Sequence, residues 1–354
     1  LERSLAAAAR RSLLRWYHRR SRKLPWRESK NPYTVWVSEI MLQQTQIETV
    51  IPYYQRFIRE FPSFNQLAEA PLERVLELWS GLGYYRRARN VHQAAQEIAR
   101  NHGREFPREM EQALSLPGVG DYTARAVLSI AYNQPYAVLD GNVARVMARV
   151  LALRGNLHQP RFRRLIEENL KILLSRRRPG NFNQAMMELG QTLCLPRIPR
   201  CSVCPLRQRC RGFQMGRAAS YPEPRPRRQA EGWHLATAVL HRNQQVMLIR
   251  GLDDGLLGDL WNFPSALGRS NREALARLKK KLRSELGTAP LLAGPEHRLH
   301  HNITHRSIQV HVYEGTLSTG PVRGRFRWFH SSTVERAAVS QLARKIARSL
   351  GEAP

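Results

Sequence analysis

Leu116-Pro117-Gly118-Val119-Gly120, then Tyr122 to Tyr132 (YTARAVLSIAY), then Val138-Leu139-Asp140-Gly141-Asn142-Val143 is the stretch that decides the fold. Gly118 and Gly120 permit a tight turn whose backbone can approach another molecule closely. A helix starting behind that turn leaves its first N–H groups without partners inside the helix. Such groups at the positive end of a helix bind phosphate. Taken alone, the glycine turn is equally an ordinary connection between two helices. What adds meaning is the order: a hairpin, one helix, then an aspartate.

Working outward, apolar residues recur at helical spacing from residue 33 to about 190. Ile47, Val50, Ile51, Tyr54, Phe57, Ile58 and Phe61 form one face; Leu72, Val75, Leu76 and Trp79 form another. Prolines 62, 71, 107 and 117 mark helix starts or turns. Leu5, Leu13, Leu14, Trp16 and Tyr17 are expected to form the apolar stripe of a first helix. The same Arg-rich, acid-poor segment also resembles a mitochondrial transit segment in composition. This half reads as all-helical.

After Cys210 the texture changes. Residues 221–229 (YPEPRPRRQ) suit an extended linker. Beyond it, LATAVL, QVMLIR and SIQVHVYE read as strands, and residues 272–286 (REALARLKKKLRSEL) as a helix. The second half is therefore expected to be α+β, with domains over 1–217 and 233–354 joined by a 218–232 linker. A chain of 354 residues, 42% hydrophobic, is long enough for two cores.

No run of about 18 apolar residues is present, so no membrane-spanning helix is expected. Fifty-seven Lys and Arg face 28 Asp and Glu, a formal charge of +29. That excess points to a polyanion, foremost nucleic acid, bound with a steep salt dependence. No secretory signal is visible, so a reducing compartment is expected.

The only four cysteines, Cys194, Cys201, Cys204 and Cys210, fall within seventeen residues, the density of a ligand set. Only Cys201 and Cys204 form a CxxC pair, whereas zinc sites usually carry two such pairs. Four thiolates so arranged suit a 4Fe–4S cluster; zinc remains the alternative. Arg197, Arg200, Arg207, Arg209 and Arg211 surround them and would make a phosphate-binding surface.

Together, the hairpin, Asp140 and the cysteine spacing resemble the helix–hairpin–helix DNA glycosylase superfamily, in its iron–sulfur branch, over roughly residues 10–215. Bifunctional members of that branch carry a nucleophilic lysine two residues after the second hairpin glycine. Here that position is Tyr122, which cannot form a Schiff base, so the resemblance implies a monofunctional enzyme. Leu24-Pro25-Trp26-Arg27 and Val35-Trp36-Val37-Ser38-Glu39-Ile40-Met41-Leu42-Gln43-Gln44-Thr45 resemble the adenine DNA glycosylase (MutY) family.

Glu39 sits among Val35, Val37, Ile40 and Met41, so its ionised form is disfavoured and its pKa is expected to rise. That suits a general acid near neutral pH, although a salt-bridged core glutamate would look the same in sequence. The resemblance implies that Glu39 protonates adenine N7, that Asp140 stabilises the cationic sugar, and that Tyr122 and Asn142 position water or Asp140. It further implies Trp26, Arg27, Leu42 and Gln184 around an extruded adenine. Gln44 and Tyr84 would enter the duplex, and Gly118, Val119 and Gly120 would hold backbone phosphate. Core packing is the plain alternative for Tyr84.

Residues 233–354 resemble the family's Nudix-like domain. Aligned on Gly287, the acidic box that would hold magnesium reads Lys280-Lys281-Leu282-Arg283-Ser284-Glu285, with only Glu285 kept. Magnesium needs clustered oxygens, so this domain is expected to bind rather than hydrolyse. Ile303-Thr304-His305 matches the loop that reads 8-oxoguanine, with Thr304 and His305 the expected contacts and Ile303 in place of an aromatic ring. His297, His300 and His301 lie nearby without acids or cysteines, and read as DNA contacts or surface. Asn302-Ile303-Thr304 also matches a glycosylation sequon.

The expected partner is double-stranded DNA carrying adenine opposite 8-oxoguanine or guanine, bound by a monomer. The expected place is the cytoplasmic nucleoid of a bacterium, or the nucleus or mitochondrion of a eukaryote. Rival readings are a glycosylase/lyase for damaged pyrimidines, a DNA-binding scaffold without catalysis, and a nucleotide-pool hydrolase. Tyr122, the Glu39–Asp140 pair and the missing acids argue against them in turn.

Overall fold

A computed structural model describes residues 2–224, 231–250, 260–287, 290–303, 306–317 and 326–351. They form two compact units: residues 1–69 with 90–226, and residues 70–89 with 227–354.

In chain order the helices are α1 (Arg3–Arg20), α2 (Pro32–Leu42), α3 (Ile47–Glu60), α4 (Phe64–Glu69), α5 (Leu72–Trp79), α6 (Arg86–Asn101), α7 (Met110–Ser115), α8 (Asp121–Ile130), α9 (Gly141–Leu151), α10 (Pro160–Leu173), α11 (Pro179–Thr192) and α12 (Arg211–Gln214). Local chemistry sets their starts. Asn31 caps α2 by accepting from Tyr33 N at 2.8 Å, with Pro32 at the first helical position. Asp140 caps α9 by accepting from Val143 N at 2.7 Å. In α3, Val50, Tyr54 and Phe57 are buried at the spacing of one helix face.

α2 is buried on nearly every side, from Tyr33 to Met41, and packs on α3 and α8. α11 packs on α1, α8 and α9 around Leu13, Val143, Met147, Phe182, Met186 and Leu189. The first helix carries the expected stripe except at Leu5. Ala6, Ala9 and Leu13 are its buried residues, Leu14, Trp16 and Tyr17 pack at the edge, and Leu5 is 46% exposed. Small alanines let α1 approach α11 closely, and Leu5 falls off that face.

The second unit is built on a mixed sheet in the order β3-β2-β1-β6-β5, with β4 paired to β1 and β7 to β2. Its strands are β1 (Glu231–Arg242), β2 (Gln245–Arg250), β3 (Trp261–Asn262), β4 (Ser265–Gly268), β5 (Ala293–Ile303), β6 (Arg306–Thr316) and β7 (Phe326–His330). β1 and β6 run parallel from Glu231↔Arg306 to His241↔Thr316; the other pairings are antiparallel. Helix α13 (Asn271–Leu286) lays Ala274, Leu278 and Leu282 on β1 and β4. It starts at a Ser270 cap and ends at Gly287 in the left-handed conformation. Helix α14 (Gln341–Gly351) is the last element among the described residues.

Two boundaries depart from the composition-based reading. Ala218 and Tyr221 are buried, Tyr221 in the core of the first unit, and β1 already starts at Glu231, so the 218–232 segment is not linker throughout. Residues 70–89 belong to the second unit, tied by Trp261 Nε1 donating to Glu73 Oε1 at 3.4 Å and Ser80 Oγ donating to Val339 O at 2.9 Å. Among the described residues no helix is long and apolar enough to cross a membrane. Thr304 and His305 lie outside the described residues.

Candidate active site

A cavity of about 1030 Å³ opens in the first unit between α2, the 116–120 hairpin, the start of α9 and one face of α11. The hairpin depends on its first glycine. Gly118 has φ +75°, and a Cβ there would stand 2.6 Å from Asn90 Cβ. Val119 is buried and donates its N–H to Leu116 O at 3.1 Å. Gly118 and Gly120 line the cavity; Val119 does not.

Glu39 projects into this cavity from the buried helix α2 and is only 6% exposed. The hydroxyl of Tyr122, the second residue of α8, donates to Glu39 Oε2 at 2.9 Å. Burial pushes the Glu39 carboxyl up to about 7, with the Asp140 charge adding to it. The Tyr122 hydrogen bond and Arg27 pull the other way. Burial also drives the Tyr122 phenol well above its ordinary value, aided by the charges of Glu39 and Asp140. Tyr122 is thus a neutral donor.

Asp140 is set differently. Its Oδ1 accepts from Val143 N at 2.7 Å and its Oδ2 from Asn142 Nδ2 at 2.8 Å. The start of α9 stands behind it, so the backbone favours negative charge at this point. Asn142 is held in turn by Arg145 Nη2, which donates to Asn142 Oδ1 and to Gly190 O, each at 2.8 Å. The approach of α11 to α9 needs Gly190, since a Cβ there would meet Asn142 Cβ at 2.7 Å. Arg145 Nε donates to Cys194 O at 2.8 Å, which ties the cavity wall to the cysteine loop.

Trp26, Arg27, Leu42, Gln44 and Gln184 line the same cavity. Sequence reasoning missed what holds them. Glu188, fully buried one turn after Gln184 on α11, accepts from Arg22 Nε at 2.8 Å and from Arg27 Nη2 at 2.9 Å. Burial opposes its charge, yet the two guanidiniums hold its carboxyl below the ordinary range. Tyr17 Oη donates to Gln184 Oε1 at 3.1 Å. The available signal was spacing: Gln184 and Glu188 at i and i+4, and Asn142 and Arg145 at i and i+3, share helix faces. Tyr84 stands in the second unit, 48% exposed with φ +51°.

The four cysteines line one small apolar cavity with Val146, Val150, Leu189 and Leu206. No three of the described His, Cys, Asp or Glu side chains are gathered tightly enough for a single metal ion. Burial raises the thiols of Cys201, Cys204 (to about 12) and Cys210, and their neighbours' charges raise them further. Four thiols around one shared hollow are the donor set that a 4Fe–4S cluster would need. Arg149, 2% exposed, braces this loop. It donates to Tyr221 O at 2.9 Å, Leu195 O at 2.7 Å, Pro196 O at 2.8 Å and Cys194 Sγ at 3.3 Å.

In the second unit, Lys281 Nζ donates to Ser265 O at 3.4 Å and Ser284 Oγ to Lys281 O at 2.9 Å, where a magnesium box would place acids.

Comparison with known proteins identifies the family of both units. The model of the HhH-GPD superfamily of base excision DNA repair proteins matches residues 37–171, and that of the NUDIX domain matches residues 236–349. The adenine DNA glycosylase of Rattus norvegicus is 34% identical over 96% of this chain and 77% of its own length. That of Buchnera aphidicola subsp. Acyrthosiphon pisum is 34% identical over 83% of each chain. The solved structure of a thermostable thymine-DNA glycosylase superposes with a TM-score of 0.55 at 25% identity, over 60% of this chain and 98% of that one. The chain belongs to the adenine DNA glycosylase family, an enzyme family that joins an HhH-GPD domain to a Nudix-like one.

Proposed function

We propose that this DNA glycosylase hydrolyses the N-glycosidic bond of adenine paired with 8-oxoguanine, or with guanine, in double-stranded DNA, without cleaving the strand itself. The observation that carries the reading is one cavity with two carboxyl groups in opposite settings. Glu39 is buried and held near 7, while Asp140 is hydrogen-bonded through both oxygens at a helix start. Glycosidic cleavage needs a proton donor on one side and negative charge beside the sugar on the other.

In this reading the adenine is extruded from the duplex into the cavity. Protonated Glu39 delivers its proton to N7, which turns the base into a neutral leaving group. Asp140 stabilises the developing oxocarbenium-like sugar, with Asn142 fixing its orientation. Glu39, now ionised, takes a proton from the attacking water, and Tyr122 holds its carboxylate. Trp26, Arg27, Leu42 and Gln184 surround the base. Gln44 and Tyr84 enter the duplex, and the 118–120 hairpin meets backbone phosphate. The second unit, with Thr304 and His305, reads the oxidised guanine. Cys194, Cys201, Cys204 and Cys210 hold a 4Fe–4S cluster, which when bound cross-links the loop and presents its arginines to DNA. The protein acts as a monomer where the genome is kept.

A duplex with one adenine opposite 8-oxoguanine tests the proposal. Wild-type protein releases free adenine and yields no covalent adduct with borohydride; Glu39→Gln still binds but releases none. Turnover by Glu39→Gln, or a trapped Schiff base, overturns it.

A further inference from the structure

The loop after α5 is shaped to present one aromatic ring. Gly81, Gly83 and Tyr84 all have positive φ, at +101°, +78° and +51°. Two of them are glycines, which adopt that region freely; Tyr84 is not, so the surrounding structure must hold it there. The holding contacts are visible. Trp79 Nε1 and Arg87 Nη2 both donate to Gly83 O, at 3.2 and 3.3 Å, and Tyr85 Oη accepts from Gly81 N at 3.2 Å. The Arg87 guanidinium lies 5.2 Å from the centre of the Tyr84 ring. The ring itself remains half exposed.

The base of this loop is fastened to the far end of the chain. Ser80, the last residue before it and the cap of α5, is buried. Its Oγ donates to Val339 O at 2.9 Å. Arg344 on α14 reaches both polar groups of Ser80, donating from Nη2 to Oγ at 2.7 Å and from Nη1 to O at 3.2 Å. The other end of α5 is tied as well, through Glu73 to Trp261. A serine and an arginine 264 positions apart therefore pin α5 at its exit, immediately before the strained turn.

We propose that Arg344, through Ser80, is a positioning residue for Tyr84: the C-terminal helix sets the angle at which the ring is offered to the duplex. The inference rests on the reading of Tyr84 as the residue that enters DNA. Its consequence is that the ring opening the base pair and the fold proposed to read the opposite base are parts of one compact unit.

The test compares two substrates with full-length protein. One holds adenine paired opposite 8-oxoguanine; the other holds adenine inside a short unpaired loop, where little unstacking work remains. Single-turnover adenine release is measured for wild type, Tyr84→Ala, Arg344→Ala, Arg344→Lys and the Tyr84→Ala/Arg344→Ala double variant. Arg344→Ala is expected to slow release from the paired substrate about tenfold, the scale of losing a charged hydrogen bond, and to change the unpaired one far less. Arg344→Lys, which keeps a donor, recovers part of the loss. The double variant is no slower than Tyr84→Ala alone, because both act through one ring. Equal loss on both substrates, no loss on either, or additive effects overturn the inference. If Tyr84→Ala itself treats the two substrates alike, the reading of Tyr84 fails and the inference falls with it.

Discussion

The hydroxyl of Tyr122 donates to Glu39 Oε2 at 2.9 Å, inside a cavity that Asp140 also lines. A phenol kept neutral by burial is a fixed donor, so it stabilises the ionised form of Glu39 and tempers the effect of burial. The carboxyl ends near 7 rather than higher. At that value it is present as both acid and base at neutral pH, which a two-step hydrolysis requires.

The rate of adenine release in single-turnover experiments is therefore expected to be flat below pH 7 and to fall above it. The slope approaches tenfold per pH unit, because only the protonated acid starts the reaction. Tyr122→Phe removes the contact that lowers the Glu39 pKa and moves this limb to higher pH. A limb that stays in place shows that the titrating group is not Glu39.

The same carboxyl affects stability. Its pKa is raised in the folded state from 4.5 to about 7, so the native protein holds this proton more tightly than the unfolded chain. The stabilisation is whole below pH 4.5 and is lost as pH climbs through about 7, a span worth about 3 kcal/mol. Glu39→Gln cannot titrate. Relative to wild type it gains stability with rising pH by up to about 3 kcal/mol, read from urea unfolding at pH 5 and pH 8. A difference that does not vary with pH contradicts the assignment.

Glu188 behaves in the opposite sense. Its carboxyl is held below the ordinary range by Arg22 and Arg27, so its contribution is present at neutral pH and lost only as pH falls through that depressed value. Glu188→Gln leaves the two guanidiniums without their buried anion and costs about 3 kcal/mol. Because Arg27 lines the cavity, adenine release also slows in this variant at neutral pH. Circular dichroism melts and single-turnover assays read the two effects separately. Release at the wild-type rate shows that Glu188 serves the fold alone.

Much of this was legible in the sequence because it is local. The faces of α3 and α5, the helix over residues 272–286, the strand pattern of β6 and the cysteine spacing each lie within a few turns of chain. Glu39, Asp140 and Asn142 could be singled out because short motifs carry them. The rest depends on distance. Nothing near Ser80 announces that Val339 and Arg344 hold it, and so the place of residues 70–89 in the second unit was hidden. Glu188 reads as a surface acid on an amphipathic helix until its arginines, 166 and 161 positions away, are seen. In α1 the apolar stripe is legible from Leu13 to Tyr17, but the burial of Ala6 and Ala9 and the exposure of Leu5 follow from close packing that spacing alone does not show.

Arg149 gives the last prediction. Its guanidinium is buried and answers three backbone carbonyls, those of Leu195, Pro196 and Tyr221. The first two lie just after Cys194, and Tyr221 follows the loop that ends at Cys210, so one planar group braces both sides of the cysteine segment. Lysine keeps the charge but presents a point donor that cannot span these directions. Arg149→Lys leaves two carbonyls without donors in a dry interior, each worth about 1–3 kcal/mol. The unfolding midpoint of the first unit is expected to drop by about 10 °C. The slack also reaches the thiols, since Arg149 donates to Cys194 Sγ and accepts from Cys210 Sγ at its own carbonyl. Iron bound per chain after purification should fall with stability, and Arg149→Lys should lose iron to a chelator faster than wild type at a temperature where both are folded. An unchanged midpoint with full iron content shows that the carbonyls find other partners and that Arg149 does not brace the loop.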